Sequence, residues 1–247
     1  MSPLLEVRDM RRSFGAIQAV DGVSFAVRQG EILGIVGPNG SGKTTLFNCI
    51  LGQIRPHSGE VRLDGVAVSG LSPARLSRLG IGRTFQMLQV FGGMNVRDNL
   101  IVAAQEHTGS LASRLFSPPD AGFGARADEM LDFFKLRHLA DQPAGDCSFG
   151  QQKLLDIAMA LMAGPRLVLL DEPAGGVNPA TLSELHDMLG RLNREKGASF
   201  VVIEHNMDFV MSLCDRILVL VEGRVLAEGA PGEIQKNPAV IEAYLGN

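Results

Sequence analysis

Gly37-Pro-Asn-Gly-Ser-Gly-Lys-Thr-Thr45 sets glycines at 37, 40 and 42 just ahead of a lysine and two hydroxyls. The order satisfies G-x-x-x-x-G-K-[ST] at every fixed position. A loop of this kind lets backbone N–H groups converge on a polyphosphate, and the helix that follows adds its partial positive end. Pro38, Asn39, Gly40 and Ser41 make up the loop between Gly37 and Gly42, and Thr45 follows the motif. Lys43 then reaches the β- and γ-phosphates, and the Thr44 hydroxyl holds Mg2+. Upstream, Glu31-Ile-Leu-Gly-Ile-Val36 is an apolar run of strand length, and Thr44 to Leu51 reads as a helix start. Strand, glycine turn and helix are the context the loop needs, so the sequence predicts a nucleoside triphosphate site.

Two further constellations sit in the second half. Leu167-Val-Leu-Leu-Asp-Glu172 puts two carboxylates at the end of an apolar strand. Ligands of open α/β sheets bind at that edge. Asp171 is placed to support Mg2+ through water, and Glu172 to polarise an attacking water as general base. Cys147-Ser-Phe-Gly-Gln-Gln152 opens a helix, with Ser148 and Gln151 spaced as a capping box. A helix start with a serine and a glycine is also an anion site.

The elements that must position these groups alternate. Leu4–Arg8 and Val23–Val27 read as short strands, and Glu60–Val68 as a hairpin turning at Asp64-Gly65. From Leu71 to about Gly164 the pattern reads as helices and polar loops, with 105–126 as a surface excursion. Leu154, Ile157, Ala158 and Leu161 give one buried stripe on a helix that starts near Ser148 and stops at Gly164-Pro165. Leu167–Leu170 and Ser199–Ile203 are apolar on both faces, as central parallel strands are, with a helix over Thr181–Asn193 between them.

Bulk properties exclude several classes. The chain has 247 residues, 45% hydrophobic and 20% charged, with a net charge of −4. No basic block suggests nucleic acid. No apolar run approaches the roughly 18 residues of a membrane-spanning helix, and the N-terminus is charged too early for a signal peptide. Cys49, Cys147 and Cys214 fit no metal spacing and read as free thiols in a reducing compartment. His57, His107, His138 and His186 have no chemical context and read as surface or core residues.

A phosphate loop, an acidic strand end and Ser148-Phe149-Gly150-Gln151, in that order, resemble the ATP-binding-cassette (ABC) family over essentially the whole chain. The resemblance implies an α/β fold: a RecA-like P-loop core with an antiparallel β subdomain (1–86 and 166–247) and an inserted α-helical subdomain (87–165), together one ABC ATPase domain. It implies that Phe14 stacks on adenine and that Gln86 reaches Mg2+ and senses a membrane partner. It implies that Ala174-Gly175-Gly176-Val177-Asn178 crosses a dimer interface and that His205 faces the γ-phosphate. Ser148 and its neighbours then touch ATP held by the opposite subunit. The implied ligands are ATP and Mg2+. The implied partners are a second cassette, identical or different, and two transmembrane permeases served by a substrate-binding protein. The implied location is the cytoplasmic face of the cell membrane, as a peripheral subunit.

Gly80-Ile-Gly-Arg-Thr-Phe-Gln86, Asn95–Leu100, Asp171–Pro179, Ile203–Val210 and Val240–Gly246 are similar to cassettes of branched-chain amino acid importers. Leu154 and Met159 stand where that group often has arginine, and Met159 is similar to the urea and amide importer type. Phe149 replaces a glycine of the general signature, and Asn178 replaces an aspartate. A lipopolysaccharide-export cassette has a similar ending, but Glu204 and the longer middle region favour the importers. A soluble cassette of DNA repair would need inserted coiled coils, and a ribosomal one two cassettes in one chain. A P-loop kinase would leave Ser148–Gln151 and His205 unexplained.

Overall fold

The computed structural model describes residues 2–84, 88–104 and 121–245. Gln86 lies outside the described residues, as does the stretch 105–120 of the expected excursion.

Leu5–Phe14 (β1) and Ile17–Val27 (β2) form an antiparallel hairpin. Both strands outrun the expected 4–8 and 23–27. Leu5, Val7 and Met10 point inward, but the pairing register shifts between Val7 and Met10, where Asp9 takes φ +42°. That bulge breaks the period-two pattern and hides the second half of the strand from a periodicity reading. Ile32–Val36 (β3) leads into Lys43–Ile50 (α1). Ser58–Leu63 (β4) and Val66–Ala67 (β5) form the expected hairpin around Asp64-Gly65. The first sheet runs β2-β1-β4-β5, with Leu5 paired to both Val27 and Leu63.

Between 71 and 164 the structure adds a strand to the expected helices and polar loops. After Pro73–Arg78 (α2) comes Ile81–Arg83 (β6), an edge strand paired with residues 167–169. Three residues are too few to show a period. Val96–Ala104 (α3) follows, then Ala121–Phe133 (α4). Gly122-Phe-Gly124 therefore open a helix rather than sit in a loop. Tertiary contacts offset their poor helix propensity: Ala127 and Leu131 are buried, and Arg97 pairs with Asp128 at 2.9 Å.

Phe149–Met162 (α5) starts as the sequence predicts. Ser148 accepts from the Gln151 N–H at 3.4 Å, and the Gln151 side chain accepts from the Ser148 N–H at 2.9 Å. Leu154, Ile157, Ala158 and Leu161 are all buried. Leu167–Asp171 (β7), Pro179–Lys196 (α6), Ser199–Ile203 (β8), Met207–Leu213 (α7), Arg216–Val221 (β9) and Arg224–Gly229 (β10) complete the core. Asn178 caps α6 through the Thr181 N–H, and Gly197 ends it in the left-handed region at φ +65°. Pro231–Ile234 (α8) and Pro238–Leu245 (α9) close the chain.

The second sheet runs β10-β9-β3-β8-β7-β6, parallel except for β10. Its central strands split their side chains between two cores. Val168, Leu170, Phe200 and Val202 pack toward α5, α6 and α7, while Leu167, Leu169, Val201 and Ile203 pack toward α1 and the antiparallel sheet. Burial on both faces is why these runs carry no polar alternation. Phe200 is fully buried in the middle of this arrangement. Phe200→Ala is expected to cost about 3–5 kcal/mol of stability, read from denaturant unfolding.

Candidate functional site

The register of the parallel sheet explains why distant residues meet. Ile35 pairs with Ile203, and Ile203 pairs with Asp171. Three adjacent strands thus end level, and the segments that leave them share one edge. Those segments are the loop 37–42 after β3, Glu172 after β7, and Glu204-His205 after β8.

The loop is built around glycine at a demanding position. Gly42 takes φ +100°, and a Cβ there would lie 2.0 Å from the Ala19 carbonyl oxygen. Gly40 is also left-handed at φ +81°, but open space surrounds it. Gly42→Ala is expected to lower the melting temperature and abolish ATP binding, because the new methyl meets rigid backbone. Gly40→Ala is expected to cost only the conformational penalty of about 1–2 kcal/mol. Thermal melts with and without ATP separate the two. The turn between β9 and β10 braces the loop from behind: the Gly223 N–H donates to the Ser41 carbonyl at 3.0 Å. Lys43 is buried and folds over the loop, donating to the carbonyls of Gly37 (2.8 Å) and Pro38 (2.9 Å). Burial pulls its ammonium below the usual lysine range, and the charges of Glu172 and Asp171 oppose that shift. Thr44 is exposed at the start of α1.

Asp171 is buried, and its N–H donates to the Thr84 hydroxyl at 3.2 Å. Burial lifts its carboxyl above the ordinary range. Glu172 pushes the same way, while Arg83 and Lys153 push back. A cation beside Asp171 would stabilise its charged form. Glu172 takes φ +49°, a left-handed conformation that costs a non-glycine residue about 1–3 kcal/mol. Its N–H donates to the Ile203 carbonyl at 2.9 Å, which holds it there. The His205 Nδ1 lies 3.9 Å from the Glu172 Oε1, and both side chains reach solvent.

Phe14 ends β1 with its ring 45% exposed, and the Arg12 guanidinium lies 4.7 Å over the ring centroid. One ring face is thereby covered by a cation.

Ser148 opens α5. Among the described residues its hydrogen bonds go to Gln151 and Gln152 and not to the phosphate loop. Phe149 is half exposed, and its ring lies against Gly176, where a Cβ would come within 2.9 Å. Gly150 packs on Thr181 in the same way, at 3.2 Å. The absent side chain at Gly176 makes room for the Phe149 ring. Phe149 and Gly150 thus join the start of α5 to Gly176 and Thr181 in one packed surface.

Lys153, Thr84 and Glu204 are buried polar groups of the site that sequence reading did not assign a role. Their types are ordinary, and only burial beside Asp171 marks them. Cys49, Cys147 and Cys214 are free and buried, the Cys214 thiol pushed up to about 12 by burial, so none is reactive here. A groove of about 1010 Å3 lies at the opposite edge of the parallel sheet, beside Gln29, Arg166 and Ala198, each of which precedes a strand.

Residues 20–175 match the ABC transporter family. The chain belongs to the ABC transporter family. Its last residues, 224–247, match the segment described as branched-chain amino acid ATP-binding cassette transporter. It is 40% identical to the high-affinity branched-chain amino acid transport ATP-binding protein BraF of Pseudomonas aeruginosa, over 99% of this chain and 98% of that one. It is 36% identical to the LivG protein of the same description from Escherichia coli, with the same coverage. The ADP conformation of MJ1267, an ATP-binding cassette of an ABC transporter, superposes with a TM-score of 0.89 at 35% identity, covering 100% of both chains. A dimeric bacterial ABC transporter cassette, MJ0796, gives 0.78 at 26% identity, over 92% of this chain and 98% of that one.

The fold is thus the ABC ATPase fold expected from the sequence, with a parallel core sheet and an antiparallel sheet beside it. The chain is an ATP-binding, ATP-hydrolysing cassette. The residues at hand also fit Mg2+. Among the described residues no cluster of three acidic, histidine or cysteine side chains could cage a metal by itself. A hydroxyl at Thr44 and a carboxylate at Asp171 are the hard oxygen donors that suit a cation held mainly by phosphates and water. No described helix is long and apolar enough to cross a membrane.

Proposed function

We propose that this cassette powers a membrane importer of branched-chain or other hydrophobic amino acids. The observation that carries the reading is the branched-chain match at residues 224–247, on a chain similar to BraF and LivG over its whole length. It favours amino acids over the urea, amide and lipopolysaccharide-export readings. A cassette does not touch the transported molecule, so kinship carries the substrate assignment.

In this reading Gly37–Thr45 wraps the phosphates of ATP and Lys43 contacts the β- and γ-phosphates. Adenine stacks on the face of Phe14 that Arg12 leaves open. Thr44, Asp171 and Gln86 would hold Mg2+, which would supply positive charge against the phosphates. Glu172 takes the proton of the attacking water, and His205, 3.9 Å away, orients the γ-phosphate. Ser148 to Gln151, which make no described hydrogen bond to the phosphate loop, serve ATP bound to a second cassette. Ala174, Gly175, Gly176 and Asn178 cross the interface between the two cassettes. Residues 1–86 and 166–247 act as the core and 87–165 as the helical arm, with Gln86 at their junction sensing one of two permeases. A substrate-binding protein delivers the cargo, and the cassette sits on the cytoplasmic face of the cell membrane.

The test is reconstitution of the complete complex in proteoliposomes with its binding protein. ATP hydrolysis is expected to rise with leucine, isoleucine or valine. Stimulation by urea or short amides alone would overturn the substrate assignment.

A further inference from the structure

Glu204 directly follows β8 at the same edge as Glu172, yet it is fully buried. Its Oε1 accepts the Ala174 N–H at 2.6 Å. Its Oε2 accepts the N–H groups of His205 (3.0 Å) and Asn206 (3.2 Å). One carboxylate therefore spans two loops that leave adjacent strands. On one side, Ala174 opens the segment that reaches Asn178 and caps α6. On the other, Asn206 caps α7 by accepting the Phe209 N–H at 3.1 Å. On α5, Lys153 is buried, and the charges of Asp156, Glu204, Asp171 and Glu172 oppose the fall in its ammonium pKa that burial causes.

A buried carboxylate persists only when its charge is matched by donors or cations. Here three backbone N–H groups do so. An apolar side chain would fill the volume but leave the buried Ala174 N–H and the partly buried His205 and Asn206 N–H groups without this partner. The requirement is for a group that only accepts, because every hydrogen-bonded neighbour donates.

We propose that Glu204 is a positioning residue that ties His205 to the loop following Glu172, so that the histidine and the interface segment Ala174–Asn178 move as one unit. The proposal rests on the reading of Glu172 and His205 as the hydrolytic pair. It gives the second cassette a route to the hydrolytic site: pressure on Gly175 and Gly176 is passed through Ala174 and the carboxylate to His205.

Glu204→Gln is the informative variant, since it keeps shape and one acceptor but turns an amide N–H toward a donor. In the reconstituted complex, kcat for ATP is expected to fall about 10- to 100-fold, the scale set by a misplaced catalytic group. KM, and the ATP affinity of the isolated chain by calorimetry, are expected to stay within about twofold, because the phosphate loop is untouched. His205→Ala added to Glu204→Gln is expected to cost little beyond His205→Ala alone, since both act through one group. Wild-type kcat in Glu204→Gln, equal losses in kcat and ATP affinity, or full additivity with His205→Ala would each overturn the proposal. Glu204→Leu extends the series if it folds, with a larger loss expected. A complex that hydrolyses ATP but ignores branched-chain amino acids refutes only the substrate assignment. Wild-type turnover in His205→Ala refutes the hydrolytic pair and this proposal with it.

Discussion

Glu172→Gln is expected to bind ATP with wild-type affinity and to lose turnover by about 10²- to 10³-fold, equivalent to about 2.7–4 kcal/mol of transition-state stabilisation. The substitution keeps size and hydrogen-bonding reach but removes the charge that would take a proton. Glu172 is held at φ +49° by its N–H bond to Ile203, and that backbone constraint is independent of the side chain. Its neighbour Asp171 also carries a carboxylate, but one that is buried beside Arg83 and Lys153 and cannot substitute as base. ATP should therefore hold two Glu172→Gln cassettes together without being consumed. Phosphate release by the complete complex and size-exclusion chromatography of the cassette in ATP check both halves. Turnover at the wild-type rate would remove Glu172 from the role of base.

Lys43→Ala is expected to weaken ATP binding itself, by about 10- to 100-fold, the range of a charge-assisted hydrogen bond worth about 1.5–3 kcal/mol. The fold should survive the change. Burial pulls the Lys43 ammonium below its ordinary range, so part of its charge is held at a cost, and its present bonds go to loop carbonyls that water can reach once the side chain is removed. The melting temperature without nucleotide is expected to stay near that of the wild type. The rise on adding ATP, which scales as RT ln(1 + [ATP]/Kd), is expected to shrink or vanish. Calorimetry showing unchanged affinity would contradict the contact between Lys43 and phosphate. The two substitutions thus split binding from hydrolysis within one site.

Much of this site is legible in the sequence because its parts are local. The phosphate loop needs glycine at Gly42 for a backbone reason and a lysine one residue on for a charge reason, so nine consecutive residues carry their own explanation. The capping box at Ser148 and Gln151 is local in the same way. The central strands are legible because burial on both faces leaves uninterrupted apolar runs.

What escaped sequence reading depended on partners far along the chain. The second half of β1 is a strand because β2 and β4 flank it, although the bulge at Asp9 breaks its pattern. β6 is a strand because residues 167–169 offer it an edge, and the first turn of α4 is helical because Arg97, Ala127 and Leu131 anchor that helix. Glu204 reads as one more acid in a polar turn until the register of β7 against β8 brings Ala174 within 2.6 Å of it. By itself the sequence determined that this protein binds a triphosphate, and it ordered the groups that do so, because short-range backbone geometry and residue chemistry suffice for that. Only the tertiary structure decided which loops share an edge, which carboxylate is buried to hold them, and that Phe149 packs on Gly176. Strand register and burial are set by contacts between segments far apart in the chain, such as Glu204 with Ala174, 30 residues apart, and Ile32 with Asp215, 183 apart, and no local pattern encodes them.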